Sequence, residues 1–202
     1  MITLTKKVCL GLFYFKNRLD YYGLMWILER FILLLAKPKA CWAIFNKDSS
    51  LRSSASFLLA TSILSVVFVL SSYYIADTSI RTGVLFLTGT MLLSILIIVV
   101  FLFAFSLLSS SRILGNTIKF NTIFMIVVYA YTPFILVLWI PFANIIAFLY
   151  TFALGYIGIR KVSNTSSKTA LSMMFLAGAI YTGIIMALSL LASVTLKFLL
   201  FL

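Results

Sequence analysis

The chain has 202 residues, of which 63% are hydrophobic and 10% charged, with 16 lysines and arginines against 4 acidic residues and no histidine. A soluble domain could not hide that much apolar surface from water, so the solvent for most of this chain is lipid. The missing histidines and the few carboxylates, Asp20, Glu29, Asp48 and Asp77, remove the usual donors for acid–base catalysis and metal ligation.

Residues 1–52 read as a basic, amphipathic segment. Lys16, Arg18 and Asp20 interrupt its apolar run, unlike a cleaved signal peptide, so the segment is expected to be retained. Residues 23–36 are broken by Glu29 and Arg30 and are too short to cross a bilayer, which predicts a helix lying in the interface. Phe13, Tyr14, Phe15, Tyr21, Tyr22 and Trp26 suit the headgroup level, where ring and polar tip are both accommodated. Pro38 ends that helix, and residues 40–45 predict a second short interfacial one. Lys6, Lys7, Lys16, Arg18, Lys37 and Lys39 would attract anionic lipid at the membrane surface, or serve topology alone; the pattern fits both. Cys9 and Cys41 lie in this cytosolic segment and predict free thiols rather than a disulfide, with S-acylation as the alternative.

Residues 53–202 read as a membrane domain of five spans, at about 53–76, 83–108, 119–138, 141–159 and 169–196. Arg52 and Asp77 bound the first, and a short outer connection, 77–82, leads to the second. Ser109-Ser110-Ser111-Arg112 opens a polar loop that carries Gly115 and Asn116 and closes at Lys119. Forty uncharged residues then separate Lys119 from Arg160, punctuated by Pro133 and Pro141. A hydrocarbon core about 30 Å thick takes about 20 helical residues to cross, so this stretch predicts two spans in a tight hairpin. The fifth span follows Lys168 and leaves Lys197 to snorkel to the far surface. With five crossings, every lysine and arginine except Arg81 and Lys197 falls on one side, which places the N-terminus in the cytoplasm and the C-terminus outside. Topology therefore accounts for the net charge of +12, and no basic, aromatic-bearing soluble module points to nucleic acid.

Two spans carry small residues at every fourth position. Ala143, Ala147, Thr151 and Gly155 form one such stripe and Ala179, Gly183 and Ala187 the other, so these helices are expected to pack on each other, or one stripe to form a dimer surface. Pro133 cannot donate to the carbonyl of Tyr129, about 15 Å into the membrane from Lys119. With the hydroxyls of Tyr129, Tyr131 and Thr132 this predicts either a polar midplane spot for a solute or lipid headgroup, or a kink satisfied by neighbouring helices. Templates for catalysis are missing: no triad, no zinc site, no paired carboxylates, no Cys-x-x-Cys and no phosphate loop with its lysine. The chain is expected to be non-enzymatic and to need no cofactor.

The order Lys37-Pro38-Lys39-Ala40-Cys41-Trp42-Ala43-Ile44, a first span, Gly115 ahead of Tyr129-Ala130-Tyr131-Thr132-Pro133, and a span ending Gly155-Tyr156-Ile157-Gly158-Ile159-Arg160 resembles the Yip domain family of Ypt/Rab-interacting membrane proteins. The resemblance covers about residues 37–191 and implies five helical spans with a cytoplasmic N-terminus. Eukaryotic members carry a longer, acidic, proline-rich N-terminal region with an Asp-Leu-Tyr-Gly-Pro type motif that this chain does not have, so the resemblance implies a prokaryotic relative in a cytoplasmic membrane. The expected architecture is thus an all-α integral membrane bundle of five transmembrane helices preceded by amphipathic interfacial helices. Two functions fit it: a scaffold or trafficking-type factor that binds membrane proteins, itself or lipid, and a permease or channel for a small solute or lipid using the kink of the third span.

Overall fold

The computed structural model describes residues 50–76, 82–140 and 142–200, and ahead of them Ile32, Leu34, Ala36, Trp42 and Phe45. Apart from those five residues, the expected interfacial helices lie outside the described residues, as do the basic residues Lys6, Lys7, Lys16, Arg18, Lys37 and Lys39, both cysteines and the 77–81 connection. Among the described residues there are no strands and five long helices: α1 (Leu51–Ala76), α2 (Thr82–Ile113), α3 (Phe120–Val137), α4 (Ala143–Val162) and α5 (Ser167–Leu200). Each is long and apolar enough to cross a membrane. In lipid no water is available to satisfy a backbone amide or carbonyl, so an apolar run of this length closes its hydrogen bonds within itself as a helix.

Helix ends differ from the spans expected, for local reasons. Ser109–Arg112 does not open a loop; α2 continues to Ile113. Buried serines sustain it: Ser106 donates to the Leu102 carbonyl at 2.9 Å and Ser110 donates across to the Met173 carbonyl of α5 at 2.8 Å. The helix stops at Gly115, whose φ of 74° is left-handed and suits a residue without a Cβ. There the amide of Asn116 bonds the Ser111 carbonyl and that of Gly115 bonds the Arg112 carbonyl, a Schellman closure. The α4 helix runs on to Val162, which puts Arg160 and Lys161 in its last turn, where the helix dipole favours cations. Ser166 caps α5, its hydroxyl accepting from the Thr169 amide at 3.2 Å. Pro133 lies inside α3, which remains helical beyond it to Val137.

The packing has one centre. α3 lies against α1, α2 and α4, while α5 packs chiefly on α2 and touches α4 less extensively. Every residue of α3 from Ile123 to Pro133 is buried, and Ile135 with them. A helix that is apolar all round belongs inside, and α3 is enclosed on all sides rather than along one stripe. The polarity of the bundle runs inside out. Its buried polar residues, among those described, are serines and threonines such as Ser62, Ser65, Ser110 and Thr132, while Phe86 and Ile95 of α2 and Phe175 and Leu190 of α5 point outward. Small hydroxyl residues let backbones approach, and two of them find acceptors on a neighbouring helix: Ser65 of α1 donates to the Ile135 carbonyl of α3 at 2.5 Å and Ser110 of α2 to Met173 of α5, whereas the Ser62 hydroxyl has no partner among the described residues. Large apolar side chains on the outside incur no cost where the surroundings are lipid tails.

Residues that precede α1 also belong to this core. Leu34, Trp42 and Phe45 are buried, and the Tyr150 hydroxyl of α4 donates to the Leu34 carbonyl at 3.2 Å. Trp42 lies over Gly158 of α4 so closely that a Cβ there would meet its ring at 2.9 Å and Ile126 of α3 at 3.0 Å. A rigid, buried indole cannot retract as the tip of a flexible side chain can. Gly158→Ala is therefore expected to lower stability by about 1–3 kcal/mol, outweighing the roughly 0.5–1 kcal/mol that alanine contributes over glycine in a helix. Gly183→Ala in α5, where the same atom would meet open space, is expected to stabilise. Thermal melts of both variants in one detergent check the opposite signs.

Candidate functional site

The four residues expected to form a midplane polar spot do not converge. Two positions along a helix differ by about 200° around its axis, so Tyr129 and Tyr131 face opposite sides of α3. Tyr129 is buried towards α1, its ring stacked on Phe45 at 3.9 Å and against Phe57 at 4.8 Å. Thr132 donates to the Val128 carbonyl of its own helix at 2.9 Å. Pro133 is enclosed with the rest of the α3 core. Tyr131 alone opens onto a cavity.

That cavity, about 290 Å³, lies between α2, α3, α4 and α5. Phe103 of α2 forms one wall and holds two tyrosines against it, Tyr131 at 5.3 Å between ring centres and Tyr181 of α5 at 5.8 Å. Ala130, Thr151, Gly155 and Met174 line the deeper part. Thr151 and Thr182 each donate to a carbonyl one turn back on their own helices, at 2.8 Å, so their polarity is spent locally. Neither tyrosine hydroxyl has a hydrogen-bond partner among the described residues, although Tyr131 is only 7% exposed.

The small-residue stripes separate in the same way. On α4, Ala147, Thr151 and Gly155 are buried and Ala143 half-buried; Gly155 sits so near α5 that a Cβ would be 3.0 Å from the Met174 methyl. On α5, Ala179, Gly183 and Ala187 are exposed, and the helix turns Ala170, Met173, Met174 and Ala177 inward instead. The two stripes thus do not meet. Both faces recur every three to four residues, and one position of register, about 100° of rotation, decides between them. Tyr181 and Gly178 escape the sequence pattern for this reason: nothing in one sequence fixes the register of α5, although Met174, Gly178 and Thr182 repeat at the same spacing as Ala179, Gly183 and Ala187.

At the opposite end of α4 a basic depression of about 400 Å³ is lined by Ile157, Arg160, Lys161, Asn164 and Thr165. Arg160 lies 5.7 Å from the Tyr156 ring centre, over its face. The hydroxyls of Ser163 and Thr165 nearby are buried and have no partner among the described residues. No group of three histidine, cysteine or acidic side chains gathers among the described residues, so the depression offers cations and hydroxyls to an anion and no ligand set to a metal.

A family model described as the Yip1 domain matches residues 32–195. No curated protein and no solved structure matches the chain.

The two tyrosines should respond differently to substitution. Tyr129→Ala empties a stacked core position and is expected to cost about 3–5 kcal/mol, as for other aromatic truncations. Tyr131→Phe removes a hydroxyl with no protein partner and is expected to change stability by less than about 1 kcal/mol. Thermal unfolding of the two variants in detergent gives the ranking, and a larger loss for Tyr131→Phe would contradict it.

Proposed function

Because this chain belongs to the Yip1 domain family, we propose that it is a non-catalytic integral membrane protein that binds other membrane proteins, or a second copy of itself, and organises lipid as a scaffold or trafficking-type factor. The observation that carries this reading is the unbroken burial of Ile123 to Pro133. A permease of this size would need its middle helices to line a path, whereas here the middle helix fills the space by packing. The broad apolar faces of α2 and α5, with Phe86, Met91, Phe175 and Met186 outward, offer contact area to lipid or to a neighbouring membrane helix. Arg160 and Lys161, together with the basic residues of the N-terminal segment, would hold the cytoplasmic side against anionic headgroups.

We place the protein in a prokaryotic cytoplasmic membrane with its N-terminus in the cytoplasm. The distribution of lysine and arginine supports the orientation, with Arg160 and Lys161 at the end of α4 that returns to that side, and the lack of the eukaryotic-type acidic N-terminal motif in this sequence supports the prokaryotic reading.

The partner-binding reading is tested by affinity capture in mild detergent of the full chain and of a variant without residues 1–31. The cut stops ahead of Leu34, because that residue is 1% exposed and part of the core. Discrete membrane proteins, or a stable homo-oligomer, captured with the full chain and lost from the shortened one are expected; flux of a neutral solute through liposomes carrying the protein alone would favour the permease. Reporter tags inserted at positions 116 and 164 are expected to be accessible from the same side, and opposite accessibility would overturn the orientation.

A further inference from the structure

A hydroxyl on the wall of an otherwise apolar cavity favours an occupant that can accept its proton, because a hydroxyl covered by apolar groups with no replacement hydrogen bond costs several kcal/mol. Native interiors satisfy most such groups, so a hydroxyl that meets no protein acceptor is completed by what fills the space it borders. Tyr131 is 7% exposed on the wall of a cavity, and its hydroxyl, which makes no hydrogen bond to a described residue, borders that open space. Tyr181 brings a second unpartnered hydroxyl to the same cavity. The other walls are almost wholly apolar and carry no charge.

We propose that the cavity is a binding site for one neutral lipid, with an apolar chain lying along Ile126, Gly155 and Met174 and a carbonyl accepting a hydrogen bond from Tyr131. Three observations choose this occupant. The first is depth: Tyr131 lies six residues before the end of α3 at Val137, about 9 Å below it at 1.5 Å per residue. A charged headgroup keeps the ester carbonyls of an ordinary phospholipid near the surface, out of reach of that hydroxyl, whereas an uncharged lipid can sink to it. The second is access. Phe148 of α4 and Thr182 of α5 border the cavity and are exposed, so it opens sideways between these two helices into the bilayer. The third is shape: the volume of about 290 Å³ is at the small end for ligand pockets and suits one chain. Gly178 keeps the space open, since a Cβ there would meet nothing within 4 Å.

The test uses the full chain in phosphatidylcholine nanodiscs that contain a diacylglycerol with a diazirine in one acyl chain. Irradiation is expected to label the α4 and α5 peptides that carry Gly155 and Met174, and excess unlabelled diacylglycerol is expected to compete. Gly178→Leu, which fills open space at a helical position, should cut the labelling about tenfold. Tyr131→Phe keeps the ring and removes only the donor; it should weaken competition about fivefold. Melting curves establish that both variants are folded. Equal labelling of these peptides by phosphatidylcholine carrying the same diazirine chain would overturn the choice of a neutral lipid, and labelling indifferent to both substitutions would overturn the site.

Discussion

Lipid tails can pack against a helix but cannot hydrogen-bond to it, and that limitation governs where polarity goes in this bundle. Hydroxyls that would face water in a soluble helix turn inward and find backbone carbonyls, as Ser65 finds Ile135 and Ser110 finds Met173. Both of those bonds cross between helices, so they fix how one helix lies on another as well as satisfying a donor. The same hydroxyl side chains are short, which lets α1 and α5 come close to their neighbours. Close approach is what encloses α3. It has α1, α2 and α4 around it, and Trp42 and Phe45 reach the same interior from ahead of the first span.

Burial of α3 has consequences for the chemistry available. Each side chain between Ile123 and Pro133 is committed to a contact, and even the tyrosines there differ in what they touch. Tyr129 is locked between Phe45 and Phe57, which makes it part of the link between the pre-span segment and the bundle. Gly158 serves the same link from α4, leaving just enough room for the Trp42 ring. Tyr131, half a turn away, is the one whose polar end is left over. A family member with its centre filled in this way has its outer faces and its lateral cavity available for recognition, and both of these face lipid.

The fold was largely legible in the sequence. Charges at Arg52, Arg112, Lys119, Arg160 and Lys168 bracket apolar runs of crossing length, and that bracketing follows directly from the cost of burying a charge in hydrocarbon. Helix ends were less so. Serines 109–111 read as a loop because serine favours turns in water; inside the bundle the Ser110 and Ser111 hydroxyls bond the Met173 and Asn116 carbonyls, and the helix continues to the glycine that can adopt a left-handed turn. The site was least legible. Tyr129, Tyr131 and Thr132 are neighbours in sequence, yet the helical screw sends them in different directions, and the residue that joins Tyr131 at the cavity, Tyr181, is fifty positions later on another helix. In a soluble helix the contrast of polar and apolar faces reveals which side is inward. α5 is apolar on both faces, so Ala179 and Gly183 could not be distinguished from Ala177 and Gly178 by hydrophobicity alone.

The arrangement rests on α3 being shielded from lipid everywhere except along the wall of the lateral cavity. Nitroxide labels placed singly at each position from 123 to 133 in a cysteine-free background, with collision by oxygen dissolved in the bilayer as the readout, measure that shielding directly. Low accessibility at Met125, Val128, Tyr129 and Thr132, with high values at Phe86 and Phe175 as lipid-facing references and intermediate values confined to the cavity wall at Ile126, Val127, Ala130 and Tyr131, is the expected result. High accessibility at Met125, Val128, Tyr129 or Thr132, away from the cavity wall, would show a second face of α3 open to lipid, and would contradict the enclosed centre on which the packing and the separate environments of Tyr129 and Tyr131 depend.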